Sequence, residues 1–172
     1  MQRWNIVGIS ALMVSLAMLP GSVSAQQKSI KDQLVGTWTL LLDDNIKADG
    51  SHVPAFGPNP EGSLVFTADG RYSLQIFRHG RPAFASKDRL TGTADENKAA
   101  VQGMIVHFGA YAVDEAGKTF TFRVEAGSFP NWDGTSQRRA ITGITDEVLT
   151  FHNPTPSTSG YVRAELAWKK AK

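Results

Sequence analysis

From Leu34 onward the chain is cut by Gly, Pro, Asn and Asp into short runs rich in apolar residues, and this punctuation constrains the fold most. The runs lie near residues 35–42, 62–68, 71–78, 105–113, 118–126, 135–143, 146–152 and 161–169. Each has the length of an ordinary strand. Thr119-Phe120-Thr121-Phe122-Arg123-Val124-Glu125 alternates strictly, so an extended chain there has one apolar and one polar face. Val162, Ala164, Leu166 and Trp168 alternate in the same way against Arg163, Glu165 and Lys169. Asp69-Gly70 falls between two runs and favours the positive φ angles of a tight hairpin turn. Asp114 to Gly117 and Thr145-Asp146 separate two further pairs. The pattern predicts an all-β, mainly antiparallel chain, folded as a barrel or a sandwich.

One helix interrupts it. Thr93-Ala94-Asp95-Glu96 fits a capping box, in which the Thr hydroxyl and Glu carboxylate satisfy orphan amides at a helix start. Asn97 to Gln102 continue the helix and Gly103 ends it. So short a helix needs the sheet to pack against. Two connections are long. Asp43 to Glu61 carries Pro54, Pro58 and Pro60, which remove amide donors, and is predicted as a structured loop. Asn153 to Gly160 is rich in Pro, Ser and Thr and is predicted as a surface loop.

The first 25 residues have the three-part layout of a secretory signal peptide. Arg3 precedes the largely apolar run Ile6 to Leu19, Pro20-Gly21 breaks it, and Val23-Ser24-Ala25 offers small residues for cleavage. The run is shorter than the roughly 20 apolar residues of a membrane span. The expectation is an exported protein, periplasmic or secreted, with residues 1–25 removed. A polar lead-in, 26–33, with a short helical turn, then precedes one domain, 34–172, with no membrane span. Cleavage leaves 147 of the 172 residues and, with Arg3 gone, lowers the net charge from +2 to +1. So balanced a chain, with scattered Lys and Arg, carries no footprint for nucleic acid or a polybasic membrane patch. The absence of Cys excludes disulfides, thiolate metal sites and a Cys nucleophile.

A longer string of residues carries a resemblance. Leu34-Val35-Gly36-Thr37-Trp38 opens the first run, and Phe56-Gly57-Pro58-Asn59-Pro60 and Phe66-Thr67-Ala68-Asp69-Gly70-Arg71-Tyr72-Ser73 follow. Arg81-Pro82-Ala83-Phe84 with Asp88-Arg89, His107-Phe108-Gly109-Ala110-Tyr111, and Phe129 to Thr135 with Gln137 and Arg139 complete it. In this order they resemble the bacterial and fungal lipocalin-like domain family, over Leu34 to Trp168. The resemblance implies an eight-stranded up-and-down barrel with one short helix and an internal cavity. Many relatives carry an aromatic residue where this chain has His107.

Candidate site residues follow from which side chains face a barrel interior. Thr135, Gln137, Arg139 and Ile141 share one face of their run and Ser136 and Arg138 the other, so one of Arg138 and Arg139 points inward. The resemblance falls on Arg139 and Gln137, which are taken as the inward pair. A buried Arg needs a partner, and Glu125 or Asp88 is expected to supply it. A clamp over Trp38 at the closed end is as consistent with this pair as ligand binding. His107, in an apolar run, is a candidate titrating cavity group or a core His satisfied by one hydrogen bond. Phe108 and Tyr111 face opposite ways, so only one looks inward. Trp132 sits at a corner that walls the mouth or seals the core. The expected ligand-binding set is Arg81, His107, Tyr111, Glu125, Trp132, Gln137 and Arg139.

The four histidines show no metal-ligand spacing, so no metal and no cofactor are expected. Gly127-Ser128-Phe129-Pro130 lacks the elbow that exposes a catalytic serine, and no phosphate-binding glycine loop is present. The first functional expectation is binding of a small, apolar or amphipathic molecule in the cavity. One alternative is a cofactor-free isomerase or cyclase using His107 or Tyr111 as acid or base, with Arg139 stabilising negative charge. Another is an envelope interaction module that uses loop 43–61 and binds nothing small. Oligomeric state is left open.

Overall fold

A computed structural model describes residues 28–172; the expected signal peptide, residues 1–25, lies outside the described residues. The nine strands are β1 (Gly36–Ile46), β2 (His52–Pro54), β3 (Glu61–Phe66), β4 (Arg71–Phe77), β5 (Met104–Asp114), β6 (Thr119–Gly127), β7 (Ser136–Ile144), β8 (Val148–Asn153) and β9 (Arg163–Lys170). Helix α1 (Ile30–Leu34) precedes them, and α2 (Ala94–Gln102) lies between β4 and β5. All pairings are antiparallel, each strand from β3 to β9 pairs with the next, and β1 pairs with both β3 and β9. The sheet is thus an eight-stranded closed barrel with β2 as a short flap on β1. Closure removes the free edges that an open sheet presents.

Hairpin chemistry sets the register. Gly70 takes φ +91°, donates from its amide to Thr67 O, and lets β3 turn into β4. The α2 capping box forms as its sequence requires, with Thr93 Oγ1 accepting from Glu96 N and the Glu96 carboxylate accepting from Thr93 N. Gly103 ends that helix with φ −91°, so no left-handed cap is used. Its lack of a side chain serves a close approach instead, since a Cβ there would lie 2.9 Å from Ala99 O and from Arg81 Cδ.

Three departures from the sequence reading matter. The helical turn of the lead-in forms as α1, capped by Ser29, but runs on to Leu34, which was expected to open the barrel domain. Strand β1 runs on to Ile46 where a loop was expected from Asp43, and β2 forms inside that loop by pairing Asp44, Asn45 and Ile46 with Pro54, Val53 and His52. Strand β8 starts two residues late because the Thr145 hydroxyl accepts from both Glu147 N and Val148 N and holds a turn.

The two ends of the barrel differ. At one end Leu34, Trp38, Leu64, Phe66, Phe120, Leu149 and Trp168 are fully buried in one cluster. There α1 acts as a plug: Trp38 Nε1 donates to Leu34 O (2.8 Å), and Glu115 accepts from the amides of Ile30 and Lys31. Lys170 Nζ donates to Gln33 O and lies 4.7 Å from the Trp38 ring centroid. At the other end the long connections 47–60, 78–103, 128–135 and 154–162 surround an opening.

Candidate functional site

The opening leads into a cavity of about 1000 Å³. Leu74 and Ile76 of β4, Ile105 of β5, Phe151 of β8, Leu166 of β9 and Phe56 of the β2–β3 connection give it an apolar wall. Val101, Phe129, Trp132 and Tyr161 stand toward its rim. The polar residues that line it include Asp43, Asn45, His107, Gln137, Arg139 and Asn153.

Alternation along β7 puts Gln137 and Arg139 inside and leaves Arg138 exposed. Arg139 is 7% exposed. Its Nη1 donates to Arg138 O (3.0 Å) and Asn153 Oδ1 (3.2 Å), its Nη2 donates to Gln137 Oε1 (2.8 Å), and its guanidinium lies 5.4 Å from the Phe122 ring centroid. Desolvation pulls its pKa down to about 10, so it remains a cation at neutral pH. The guanidinium can only donate, so it fixes the Gln137 amide oxygen toward itself and turns Gln137 Nε2 away. That nitrogen is buried and has no partner among the described residues.

Asp43 owes its position to an irregularity. Between Leu40 and Leu42 the β1–β9 register shifts, so Leu41 is an extra residue on β1. The bulge reverses the facing of everything after it. Asp43 and Asn45 turn inward, Leu41 and Leu42 are exposed, and Asp44 turns to His52 Nδ1 (3.2 Å). The Asp43 carboxyl, in a residue 6% exposed, has no ion pair within 4.0 Å and no side-chain hydrogen bond among the described residues. Burial and then the neighbouring Asp44 carboxylate raise its pKa to about 7, against a smaller opposite pull from Arg139.

His107 is 2% exposed and shares a hydrogen bond with the Tyr72 hydroxyl (Nδ1 to Oη, 2.8 Å). Burial, then the charge on Arg139, depress its pKa to about 3, so it is a neutral imidazole at physiological pH. Trp132, on the turn Pro130–Trp132, packs edge-on against it with centroids 5.5 Å apart.

Of the residues singled out from the sequence, His107, Trp132, Gln137 and Arg139 share the cavity. Arg81, Tyr111 and Glu125 do not. Arg81 stacks over the Phe77 ring at 4.4 Å. Tyr111 faces inward, with Phe108 exposed opposite it, but sits toward the plugged end and donates its hydroxyl to Thr67 O (3.0 Å). The catalytic trio of His107, Tyr111 and Arg139 is therefore not gathered at one place. Glu125 lies outside the barrel, paired with Arg71, as the polar face of β6 dictates. Neither carboxylate expected beside Arg139 is there: Asp88 is exposed and accepts from Leu90 N (2.9 Å). The cation over Trp38 is Lys170 rather than Arg139. Ser128 has a structural use, its Oγ accepting from Val106 N. His52, His79 and His107 face Asp44, Glu61 and Tyr72 respectively, and no group of three metal-ligating side chains occurs among the described residues.

Sequence reasoning missed Asp43, Asn45, Asn153 and Tyr72. A carboxylate pair after an apolar run reads as a loop start, and no residue type announces the bulge at Leu41. Tyr72 was findable, because it alternates with Leu74 and Ile76 on the inward face of β4.

A plugged, closed β barrel with an apolar hollow holding a few fixed polar groups has the makeup of a small-molecule-binding protein. The chain belongs to the lipocalin-like domain family, whose family model matches residues 35–171. A 4'-hydroxy-3'-methoxypropiophenone carrier protein of Aspergillus oryzae is 31% identical to it over 106 residues, which cover 57% of this chain and 95% of that protein. Among solved structures, a redesigned beta barrel aligns with 84% of this chain and 100% of its own, at 13% identity and a TM-score of 0.42. No helix among the described residues is long and apolar enough to cross a membrane.

Proposed function

We propose that this protein is an exported carrier that holds a small, partly apolar molecule in the open half of its barrel. The cavity carries the reading: about 1000 Å³ of hollow beside a fully packed opposite end is room that the fold does not need for its own stability. Its apolar wall supplies transfer free energy, and the buried polar groups orient the cargo. Similarity to a protein named as carrier of an aryl ketone supports cargo of that size and polarity. Export rests on the signal-peptide layout of residues 1–25.

Native mass spectrometry of protein purified gently from its source is the test. A reproducible additional mass, released on denaturation, is expected, and titration with 4'-hydroxy-3'-methoxypropiophenone is expected to saturate at one molecule per chain. A bare chain that takes up neither this ketone nor other apolar aromatics refutes the carrier. N-terminal sequencing checks export: the expected first residue is Gln26, and an intact Met1 start in the mature pool refutes it.

A further inference from the structure

We propose that the cavity selects cargo bearing a hydroxyl of phenol or alcohol type, which donates to Asp43 and whose oxygen accepts from Arg139. The inference rests on the carrier reading and specifies what that site takes.

Two buried charges of opposite sign face one hollow without closing on each other. Asp43 on β1 and Arg139 on β7 perturb one another electrostatically, yet no ion pair within 4.0 Å joins them. Strands β8 and β9 separate them along the wall, and Asn153 occupies one Arg139 donor from β8. The Asp43 carboxyl, in a residue 6% exposed and without a side-chain hydrogen bond among the described residues, keeps its oxygens open to the hollow and free to accept from cargo. Arg139 uses three of its donors within the protein, and a guanidinium has five. The hollow therefore presents the Asp43 carboxyl on one wall and the remaining Arg139 donors on another.

The charge balance chooses the head group. A carboxylate on the cargo answers Arg139 but confronts Asp43 and leaves it unpaired. An ammonium answers Asp43 and confronts Arg139. A neutral hydroxyl satisfies both sides with one atom, donating once and accepting once or twice. Leu74, Phe151 and Leu166 then receive the apolar body.

Calorimetric titration of the full protein at pH 8 with 2-naphthol and with 2-methoxynaphthalene tests this. The ether keeps the aromatic body and the acceptor oxygen but loses the proton. On the unaltered chain 2-naphthol is expected to bind at least about tenfold tighter, since a site built around a hydroxyl rejects an analogue that strands its acceptor. In Asp43→Ala the two affinities are expected to converge to within about twofold. Uptake of N-phenyl-1-naphthylamine, a neutral fluorophore, reports on the hollow itself. Equal affinities on the unaltered chain, or none for either probe while the fluorophore still enters, overturn the hydroxyl assignment and leave the carrier standing. Failure of the fluorophore to enter overturns the carrier reading and the assignment with it.

Discussion

At the scale of single residues the cavity holds two groups whose protonation opposes each other's effect on stability. Asp43 ionises near 7 when folded against an ordinary 3.8, so its contribution is fully present below about 3.8 and is lost as pH rises through 7. His107 ionises near 3 when folded against an ordinary 6.5, so its contribution is present above 6.5 and is lost as pH falls toward 3. Each displacement corresponds to a few kcal/mol, on the order of 4. Between about pH 4 and 6.5 the two slopes therefore nearly cancel. The charged and titratable groups facing them are Asp44 and Arg139 for Asp43, and Arg139 and Tyr72 for His107. Urea unfolding of His107→Gln, which keeps a hydrogen-bonding side chain without the titration, is expected to uncover the Asp43 slope, with stability falling from pH 4.5 to 7.5. Asp43→Asn is expected to do the reverse, holding stability above pH 6.5 and losing it on acidification. A flat profile in both variants contradicts the assignment. Tyr72→Phe probes the same place differently: it leaves His107 Nδ1 without its partner and is expected to cost about 1–3 kcal/mol, independent of whether cargo is present.

The elements behave as units with different degrees of independence. Helix α2 buries none of its residues and depends on its capping box, so it is the part most ready to open alone. Thr93→Ala is expected to remove about 1 kcal/mol from that helix. Hydrogen exchange should show faster amide exchange confined to residues 94–102, with the global melting temperature nearly unchanged; a matching global loss would mean that α2 is part of the cooperative core. Strands β5 and β6 are the opposite case. Glu125 is an extra residue on β6 where the register shifts opposite Phe108 and Gly109, and a Cβ on Gly109 would stand 2.0 Å from Arg123 O. Gly109→Ala is expected to destabilise the whole barrel by about 3 kcal/mol or more, because backbone rather than a flexible side chain must give way. These elements also mark what the sequence made legible. Alternation located eight strands, and the Thr93–Glu96 signature located α2, because both signals are local and periodic. Alternation left Arg138 and Arg139 as alternatives, and the resemblance chose Arg139 with Gln137 as the inward pair; His107 stood out because it lies in an apolar run. Alternation failed at Asp43 because one inserted residue at Leu41 exchanges the two faces of β1, and no local propensity distinguishes a bulged strand from a regular one. It failed to pair Arg139 because its partners lie on β7 and β8 and are amides rather than the carboxylates that charge matching suggests.

For the whole molecule, the division of the barrel into a plugged end and a hollow end predicts that stability and cargo affinity can be altered separately. Burial of large apolar side chains is the dominant favourable term in folding, and it is concentrated around α1, Trp38, Phe120, Leu149 and Trp168. None of these residues lines the cavity. Leu149→Ala should therefore cost roughly 2–5 kcal/mol of stability while cargo affinity stays within about twofold. Trp132→Phe should do the converse, because Trp132 stands at the mouth against His107 and takes little part in the packed cluster. Trp38 and Trp168 are fully buried at the far end, so cargo entry should perturb the emission of Trp132 and leave theirs unchanged. A fluorescence response that survives in Trp132→Phe would mean that cargo reshapes the plugged end, contradicting the separation. Cargo itself should then act as a stabiliser by mass action: at about a hundredfold excess over its Kd it adds roughly 2.7 kcal/mol, whatever the absolute affinity. For a domain of this size that corresponds to a rise in melting temperature of about 5–10 °C. The rise should be the same in Leu149→Ala as in the unaltered protein at equal saturation, since Leu149 does not line the hollow and the contact between the two ends runs through Phe151, which packs on Phe120 and Trp168 and is retained. A smaller rise in Leu149→Ala at equal saturation would show that the ends are coupled, and that the plug sets the shape of the hollow as well as the stability of the fold.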